Sequence, residues 1–204
     1  MEGGTPAARK VMVVADPSRE SAGALQYALS HAVLDNDTLI LLHVDNPNAW
    51  KNPLGALFKN PTSPGGARIG GIGSFSSSFV GLDGGAGGGE ADFLDGMKRV
   101  CVTAKPKLKV VVEKAETTEG KDKASVILAH CEASKIDLLI VGQRRNTLSN
   151  AILGPKRGLS LRGFDTADYL VENSKCTCVA VQKKGQNGGY LLNSKTHKNF
   201  WLLA

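Results

Sequence analysis

The seven residues from Ile136 to Gly142 (IDLLIVG) constrain the fold of this chain more than any other stretch. Four apolar residues follow an aspartate and end at a glycine, which is typical of a parallel strand buried on both faces. Parallel strands need crossover connections, and helices usually provide them. Ligands of such sheets bind outside the carboxyl ends of the strands, so we expect a functional site just after Val141.

Similar apolar runs alternate with segments of helical period along most of the chain. Four further strands are predicted at 10–16, 38–44, 108–113 and 176–182, and helices at 18–33, 90–104, 121–134 and 165–173. Ser18, or alternatively Ser21, is expected to cap the first helix. The alternation predicts an α/β fold, a five-stranded, parallel, doubly wound sheet of Rossmann-like type with right-handed crossovers.

Length and composition indicate one domain, residues 8–182, with one insertion and one tail. Residues 46–89 are rich in glycine and serine, and 11 of the 24 glycines lie between 65 and 89. Such a segment buries too little apolar surface to offset its ordering entropy, so we predict a disordered insertion. Residues 183–204 form a predicted tail whose apolar end, FWLLA, is expected to pack on the domain or on a second copy.

The positive charge of the chain is confined to its last third. Residues 142–204 contain 10 Lys and Arg against 3 acidic residues, whereas residues 1–141 contain 15 against 16. The loop 143–163 holds five of these cations and no acid, so it either meets an anionic ligand or is simply solvated. Tail lysines interleaved with aromatics can bind single-stranded nucleic acid, but we expect packing of the aromatics instead and no nucleic-acid partner.

The sequence contains few features that indicate cellular location or disulfide formation. The chain starts without a signal-peptide pattern and has no apolar run of membrane-spanning length, so a cytoplasmic location is predicted, with the nucleus as the alternative and no membrane partner. Four cysteines in a chain of this size favour reduced thiols. Cys176 and Cys178 face one side of a strand, where burial is favoured over metal binding because no second ligand pair is present.

Two positions at predicted strand ends have both a local and a ligand-binding interpretation. Asp16 is either a turn former before Pro17 or a hydrogen-bonding group for a ligand. Gly142 is expected to need a positive φ for a turn, which is compatible with ligand binding. The four histidines have no triad neighbours, and no hydrolase, zinc-protease or Walker motif occurs, so no catalytic function and no metal site are predicted.

The order of these segments resembles the universal stress protein family, in a plant-like version. The residues that carry the resemblance are VMVVAD at 11–16, TLILLHV at 38–44, IDLLIVG at 136–142 and DYLVENSKCTCVAV at 168–181. The resemblance implies an adenine nucleotide alpha hydrolase-like sheet that binds ATP or AMP. It also implies a homodimer formed through the last strand, Cys176 to Gln182.

The resemblance also implies which residues bind the nucleotide. Asp16 and Val44 correspond to the residues that hold adenosine, and the phosphates would lie on the loop that contains Gly142, Arg145, Gly154 and Arg157. The family's loop has the pattern G, two residues, G, nine residues, G, then Ser or Thr. Here Arg145 replaces the second glycine, and Gly154 follows Gly142 by 12 residues and precedes Pro155. An arginine there fills the pocket or replaces amide contacts with a guanidinium fork.

Two functional hypotheses therefore stand side by side. The first is a non-catalytic adenine-nucleotide-binding protein of the stress response. The alternative is a nucleotide-free, dimeric interaction module that has lost the phosphate-loop glycines and whose insertion and tail contact partner proteins.

Overall fold

The structure, a computed structural model, describes residues 8–45, 89–118, 120–144, 166–185 and 189–203, with only the backbone for 89–92. The predicted insertion therefore lies outside the described residues except for Gly89, and so does most of the basic loop. The helices are α1 (Arg19–Tyr27), continued by a π-helical turn (Ala28–Ala32), α2 (Gly89–Ala104), α3 (Lys123–Ser134) and α4 (Thr166–Asn173). The strands are β1 (Lys10–Val14), β2 (Thr38–Asp45), β3 (Lys109–Glu116), β4 (Leu138–Gly142), β5 (Thr177–Lys183), β6 (Tyr190–Ser194) and β7 (Phe200–Leu202).

The described strands form one sheet in the order β3-β2-β1-β4-β5-β6-β7. The first five are parallel, which confirms the predicted α/β doubly wound core. β6 and β7 are antiparallel additions.

The helices cover both faces of the parallel core. On one face, α1 and α2 pack against Val11, Val13 and Leu41. On the other face, α3 and α4 pack against Met12, Ile40 and Leu139. β1 is central and buried from both sides, as its run of consecutive apolar residues predicts.

The segment 183–204, which was predicted to be a tail, extends the sheet by two strands. Gly185 and Gly189 adopt positive φ (63° and 71°) in the reversal between β5 and β6, a conformation that glycine adopts without steric cost. Tyr190 and Leu192 then become buried against the α1 face. Three apolar residues at 190–192 were too short a run to predict a strand from sequence.

This addition corrects the predicted dimer surface. The sequence placed the dimer on the edge of the last strand, Cys176 to Gln182. In the structure, residues 179–183 of that strand pair with β6, so their edge is already hydrogen-bonded within the chain.

Among the helices that the structure describes, none is both long enough and apolar enough to cross a membrane.

Candidate functional site

Three neighbouring strands bring Asp16, Val44 and Gly142 to the same edge of the sheet. β1 lies between β2 and β4, with Val14 opposite Leu42 and Val13 opposite Ile140. Asp16, Val44 and Gly142 each come two residues after one of these paired residues, Val14, Leu42 and Ile140 respectively. All three therefore lie at the carboxyl ends of adjacent parallel strands. This is the edge at which open α/β sheets bind ligands. A ligand-binding role for the three residues remains a prediction.

The turn between β1 and α1 holds Asp16 in place. Ser18 caps α1, because its hydroxyl accepts a hydrogen bond from the backbone N–H of Ser21 at 3.2 Å. Ser21 Oγ in turn accepts from the backbone N–H of Asp16 at 3.0 Å and donates to the Val14 carbonyl at 2.9 Å. Ser21, which was predicted as the alternative helix cap, therefore holds the backbone of Asp16 in place.

The Asp16 carboxylate meets a lysine that is distant in sequence. Lys123 Nζ donates to Asp16 Oδ1 at 2.5 Å. Lys123 lies in the first turn of α3, whose start is fixed by Asp122, since the Asp122 side chain accepts from the backbone N–H of Ser125. Both charged side chains keep solvent contact, with Asp16 30% and Lys123 33% exposed. The pair is therefore accessible at the rim of the sheet.

His43 forms the buried floor of this cluster. Its Nδ1 lies 2.7 Å from the Ala15 carbonyl and 3.6 Å from Asp16 Oδ1, and its Nε2 lies 2.8 Å from Asp45 Oδ1. The ring packs edge-to-face on Phe93 of α2 at 5.0 Å between centroids. At 3.6 Å the Asp16 carboxylate interacts mainly through its charge, so the Ala15 carbonyl is the direct hydrogen-bond acceptor of Nδ1.

The charges of the cluster stabilise one another. The carboxylate of Asp16, the Ala15 carbonyl and Asp45 raise the pKa of His43 above its ordinary value, against the effect of burial. Burial would raise the pKa of Asp16, but His43 and Lys123 lower it by more, so the net pKa of Asp16 is below its usual range. The arrangement favours the ionised form of Asp16, and the neighbouring carboxylates favour the protonated form of His43.

The other two predicted strand-end residues have structural roles that the sequence did not indicate. The Val44 side chain is 4% exposed and belongs to the core beneath α3 and α4. Gly142 does not adopt a positive φ, so the prediction of a left-handed turn glycine is wrong. A Cβ on Gly142 would lie well under 3.0 Å from the backbone of Glu20 and Ser21, so the close approach of α1 requires the glycine.

The start of the basic loop is anchored by a polar network. Gln143 is buried; its Nε2 donates to Asp168 Oδ1 of α4 at 2.8 Å, and its Oε1 accepts from Asn193 Nδ2 of β6 at 2.7 Å. The loop therefore leaves the sheet between α4 and the additional strands. The predicted phosphate-loop residues Arg145, Gly154 and Arg157 lie outside the described residues.

Sequence inspection missed His43 and Lys123 as members of the cluster. The signal for His43 was present: it precedes Asp45 by two residues at the end of a strand predicted to lie in the same sheet as the strand that ends at Asp16. Lys123 gave no comparable signal, because its meeting with Asp16 depends on where α3 crosses the sheet edge.

Other candidates from the sequence occupy different environments. Cys178 is buried, Cys176 is half-buried, and all four cysteines are free. No group of three or more His, Cys, Asp or Glu side chains within the described ranges is arranged to hold a metal ion. Of the tail lysines, Lys183 donates to Gln26 and Lys198 to Glu172, so these two have intramolecular partners.

Comparison with known proteins gives one family match and several similar structures. Residues 7–65 match the model of the universal stress protein family. This segment contains β1, α1 and β2 and therefore Asp16, His43 and Val44. No curated protein gives a significant match.

Three of the similar solved structures are universal stress proteins. One, from Arabidopsis thaliana with AMP bound, is 16% identical, covers 88% of this chain and 95% of its own, and has a TM-score of 0.49. A second, in complex with cAMP, is 17% identical, with coverages of 87% and 98% and a TM-score of 0.49. A third, from Lactobacillus plantarum, is 17% identical, with coverages of 85% and 97% and a TM-score of 0.44.

Proposed function

We propose that this chain is a member of the universal stress protein family and a non-catalytic binder of ATP or AMP in the stress response. The family match supports membership, since it spans the segment that supplies Asp16 and Val44. The observation that carries the binding proposal is the accessible Asp16–Lys123 pair at the carboxyl edge of β1. A plant-like subtype remains part of the proposal on the sequence resemblance alone.

The pair offers the two kinds of group that a nucleotide needs. Asp16 is held ionised and acceptor-only, so it suits the hydroxyls of a ribose or the amino group of a base. Lys123 supplies an ammonium group within reach of the same site, which suits a phosphate. On binding, the ligand hydroxyl takes the place of the ammonium group at Asp16, and Lys123 turns toward the phosphates.

The basic loop completes the proposed site. Gly142, Arg145, Gly154 and Arg157 are proposed to approach the phosphates, with guanidinium forks replacing the amide contacts that a second glycine would allow. Gln143 fixes where the loop starts, directly beside the Gly142 end of β4.

Calorimetry of the purified chain with ATP, AMP and adenosine tests this function. Asp16→Asn is expected to lower affinity for all three ligands by about tenfold or more, equivalent to about 1.4 kcal/mol. Lys123→Gln should weaken ATP binding more than adenosine binding, because the ammonium group is proposed to contact the ligand only through its phosphates. Asp35→Asn is the matched control, since Asp35 is 60% exposed and lies at the opposite edge of the sheet.

The second candidate is the nucleotide-free interaction module. It is favoured by the fact that Asp16 already has Lys123 and His43 as neighbours and that α1 fills the space beside Gly142. Absence of binding heat with all three ligands at millimolar concentration would establish this candidate and reject the first.

A homodimer is part of either candidate. Because β6 occupies the edge of β5, we place the second copy on the outer edge of β7, which pairs with no further strand in the described part of the chain. Phe200 and Trp201 there are 55% and 54% exposed, and an exposed apolar edge strand favours association. Sedimentation should show a dimer that Trp201→Lys dissociates; a monomer at every concentration would contradict this assignment.

The cellular location belongs to the proposal as well. We place the protein in the cytoplasm, with the nucleus as the alternative, and the four free cysteines support a reducing compartment.

A further inference from the structure

The amino edge of the sheet, opposite the Asp16 cluster, contains a pair of cysteines from two different elements. Cys131 lies in the last turn of α3, and Cys176 directly precedes β5. Their sequence neighbours are joined by an ion pair, with Lys175 Nζ 3.0 Å from Glu132 Oε1. The two segments therefore meet at this edge independently of the sulfur atoms.

Both cysteines pack in the same apolar cluster on the α3 and α4 face of the sheet, with Cys131 inside it and Cys176 against it. Cys131 Sγ lies 3.8 Å from Met12 Sδ of β1, and the Cys131 and Cys176 thiols interact with each other. Cys176 Sγ also lies 3.1 Å from Ser174 Oγ. A thiol and a hydroxyl group therefore both act on the Cys176 sulfur.

The two thiols differ in access to solvent. Cys176 is half-buried and reachable, whereas Cys131 is only 6% exposed. A reagent from solvent therefore reaches the Cys176 thiol more easily than the Cys131 thiol.

The contacts make the accessible sulfur the more acidic one. The thiol of Cys131 and the hydroxyl of Ser174 lower the pKa of Cys176 below its usual value, against burial and the charge of Asp137. The same contact and burial raise the pKa of Cys131. Accessible cysteines with depressed pKa values are the ones that react with oxidants.

We propose that Cys176 and Cys131 form a peroxide-reactive dithiol, in which Cys176 is oxidised first and Cys131 closes a reversible disulfide. The proposal goes beyond nucleotide binding and does not depend on it, since the two sites lie at opposite edges of the sheet.

The reaction consumes one molecule of hydrogen peroxide. The Cys176 thiolate attacks a peroxide oxygen, the O–O bond breaks, and the leaving hydroxide takes a proton to give water and a sulfenic acid on Cys176. The Cys131 sulfur then attacks the Cys176 sulfur, the S–O bond breaks, and the leaving hydroxide takes the Cys131 proton as a second water. Two thiols are oxidised to one disulfide, and a reducing thiol restores them by exchange.

The other two cysteines serve as internal controls. Cys178 is 5% exposed, and burial raises its pKa to about 12. Cys101 is fully buried in the core on the α1 and α2 face, and burial raises its pKa to about 12 as well. Neither is expected to react with peroxide in the folded protein.

The test treats the reduced full chain with hydrogen peroxide and follows intact mass and disulfide-mapped peptides. The wild type should lose two hydrogens, give a peptide linking Cys131 to Cys176, and recover with dithiothreitol. Cys178→Ser and Cys101→Ser should behave like the wild type. Cys131→Ser should stop at a sulfenic acid trapped by dimedone on Cys176, and Cys176→Ser should give neither product.

A pH profile distinguishes a tuned thiol from one that is merely accessible. The rate of Cys176 alkylation by iodoacetamide should have its midpoint below the value of about 8.5 for an ordinary cysteine. Ser174→Ala should move that midpoint upward while the protein stays folded. A midpoint at the ordinary value, a disulfide that links only separate molecules, or equal oxidation of Cys101 and Cys178 would each overturn the proposal.

Discussion

Two aspartates, one at each edge of the sheet, are paired to cations in contrasting ways. At the amino edge, Asp37 is 3% exposed and accepts hydrogen bonds from the Arg9 guanidinium and from the backbone N–H groups of Arg9 and Leu34. At the carboxyl edge, Asp16 is 30% exposed and contacts the Lys123 ammonium group, with His43 at 3.6 Å. Both pKa values are lowered, yet the two carboxylates have different capacity for a new partner.

The difference separates a structural carboxylate from a candidate binding carboxylate. Asp37 receives four hydrogen bonds, which fills the capacity of its two oxygens. Asp16 keeps solvent access, and its partner is a flexible, strongly hydrated ammonium group that another donor can replace. A lowered pKa alone therefore does not mark a site; accessibility and exchangeable partners do.

The largest expected effect is on stability at the amino edge. Asp37→Asn replaces an acceptor oxygen with an NH₂ group that faces donors only, so we expect a loss of about 2–4 kcal/mol in the free energy of unfolding. Urea denaturation measures it. Asp35→Asn, two residues away and 60% exposed, is the control and should change stability by less than about 0.5 kcal/mol. An equal cost for the two variants would remove the structural role assigned to Asp37.

A smaller stability effect is expected at the carboxyl edge. Asp16→Asn should cost about 1 kcal/mol, because the Lys123 ammonium group is partly exposed and can be rehydrated. The same denaturation series measures this cost beside that of Asp37→Asn. If Asp16→Asn proves as destabilising as Asp37→Asn while nucleotide affinity is unchanged, the contrast between the two aspartates fails.

The sequence predicted where the strand-end residues lie in the sheet, but it predicted few of the contacts that they make. The apolar runs predicted the five parallel strands, and parallel pairing then required Asp16, Val44 and Gly142 to share an edge. Lys123 could not be predicted as the partner of Asp16, because that contact depends on the crossing of α3. The close packing of Gly142 against Glu20 was hidden for the same reason, since it involves the backbone of another element.

The additional strands show a different limit of sequence interpretation. β6 and β7 have five and three residues, and their stability comes from pairing with β5 and from the burial of Tyr190. Such strands depend on tertiary contacts more than on local pattern. The polar bond from Asn193 to Gln143 likewise joins residues 50 positions apart, which no local motif reveals.

The smallest expected effect is the pH dependence that His43 gives to the carboxyl edge. Because folding raises the pKa of His43, its contribution to stability is complete below the unfolded-state value of about 6.5 and is lost as pH rises through the folded-state value. The charged groups that face it are Asp16 and Asp45, with Lys123 beyond Asp16. The free energy of unfolding of the wild type should therefore fall relative to that of His43→Gln as pH increases above about 6.5.

Urea denaturation between pH 6 and 9 measures this difference. His197→Gln, at an exposed position between β6 and β7, is the matched control, and its free energy of unfolding should change with pH as that of the wild type does. Asp16 acts in the opposite direction at low pH: its pKa is lowered by folding, so its contribution is present above about 3.9 and is lost as pH falls through the folded-state value. The carboxyl-edge cluster should thus stabilise the protein most between these two limits. A constant difference between wild type and His43→Gln across neutral pH would mean that the His43 ring packs against Phe93 as a neutral group and that its protonation does not stabilise the folded protein.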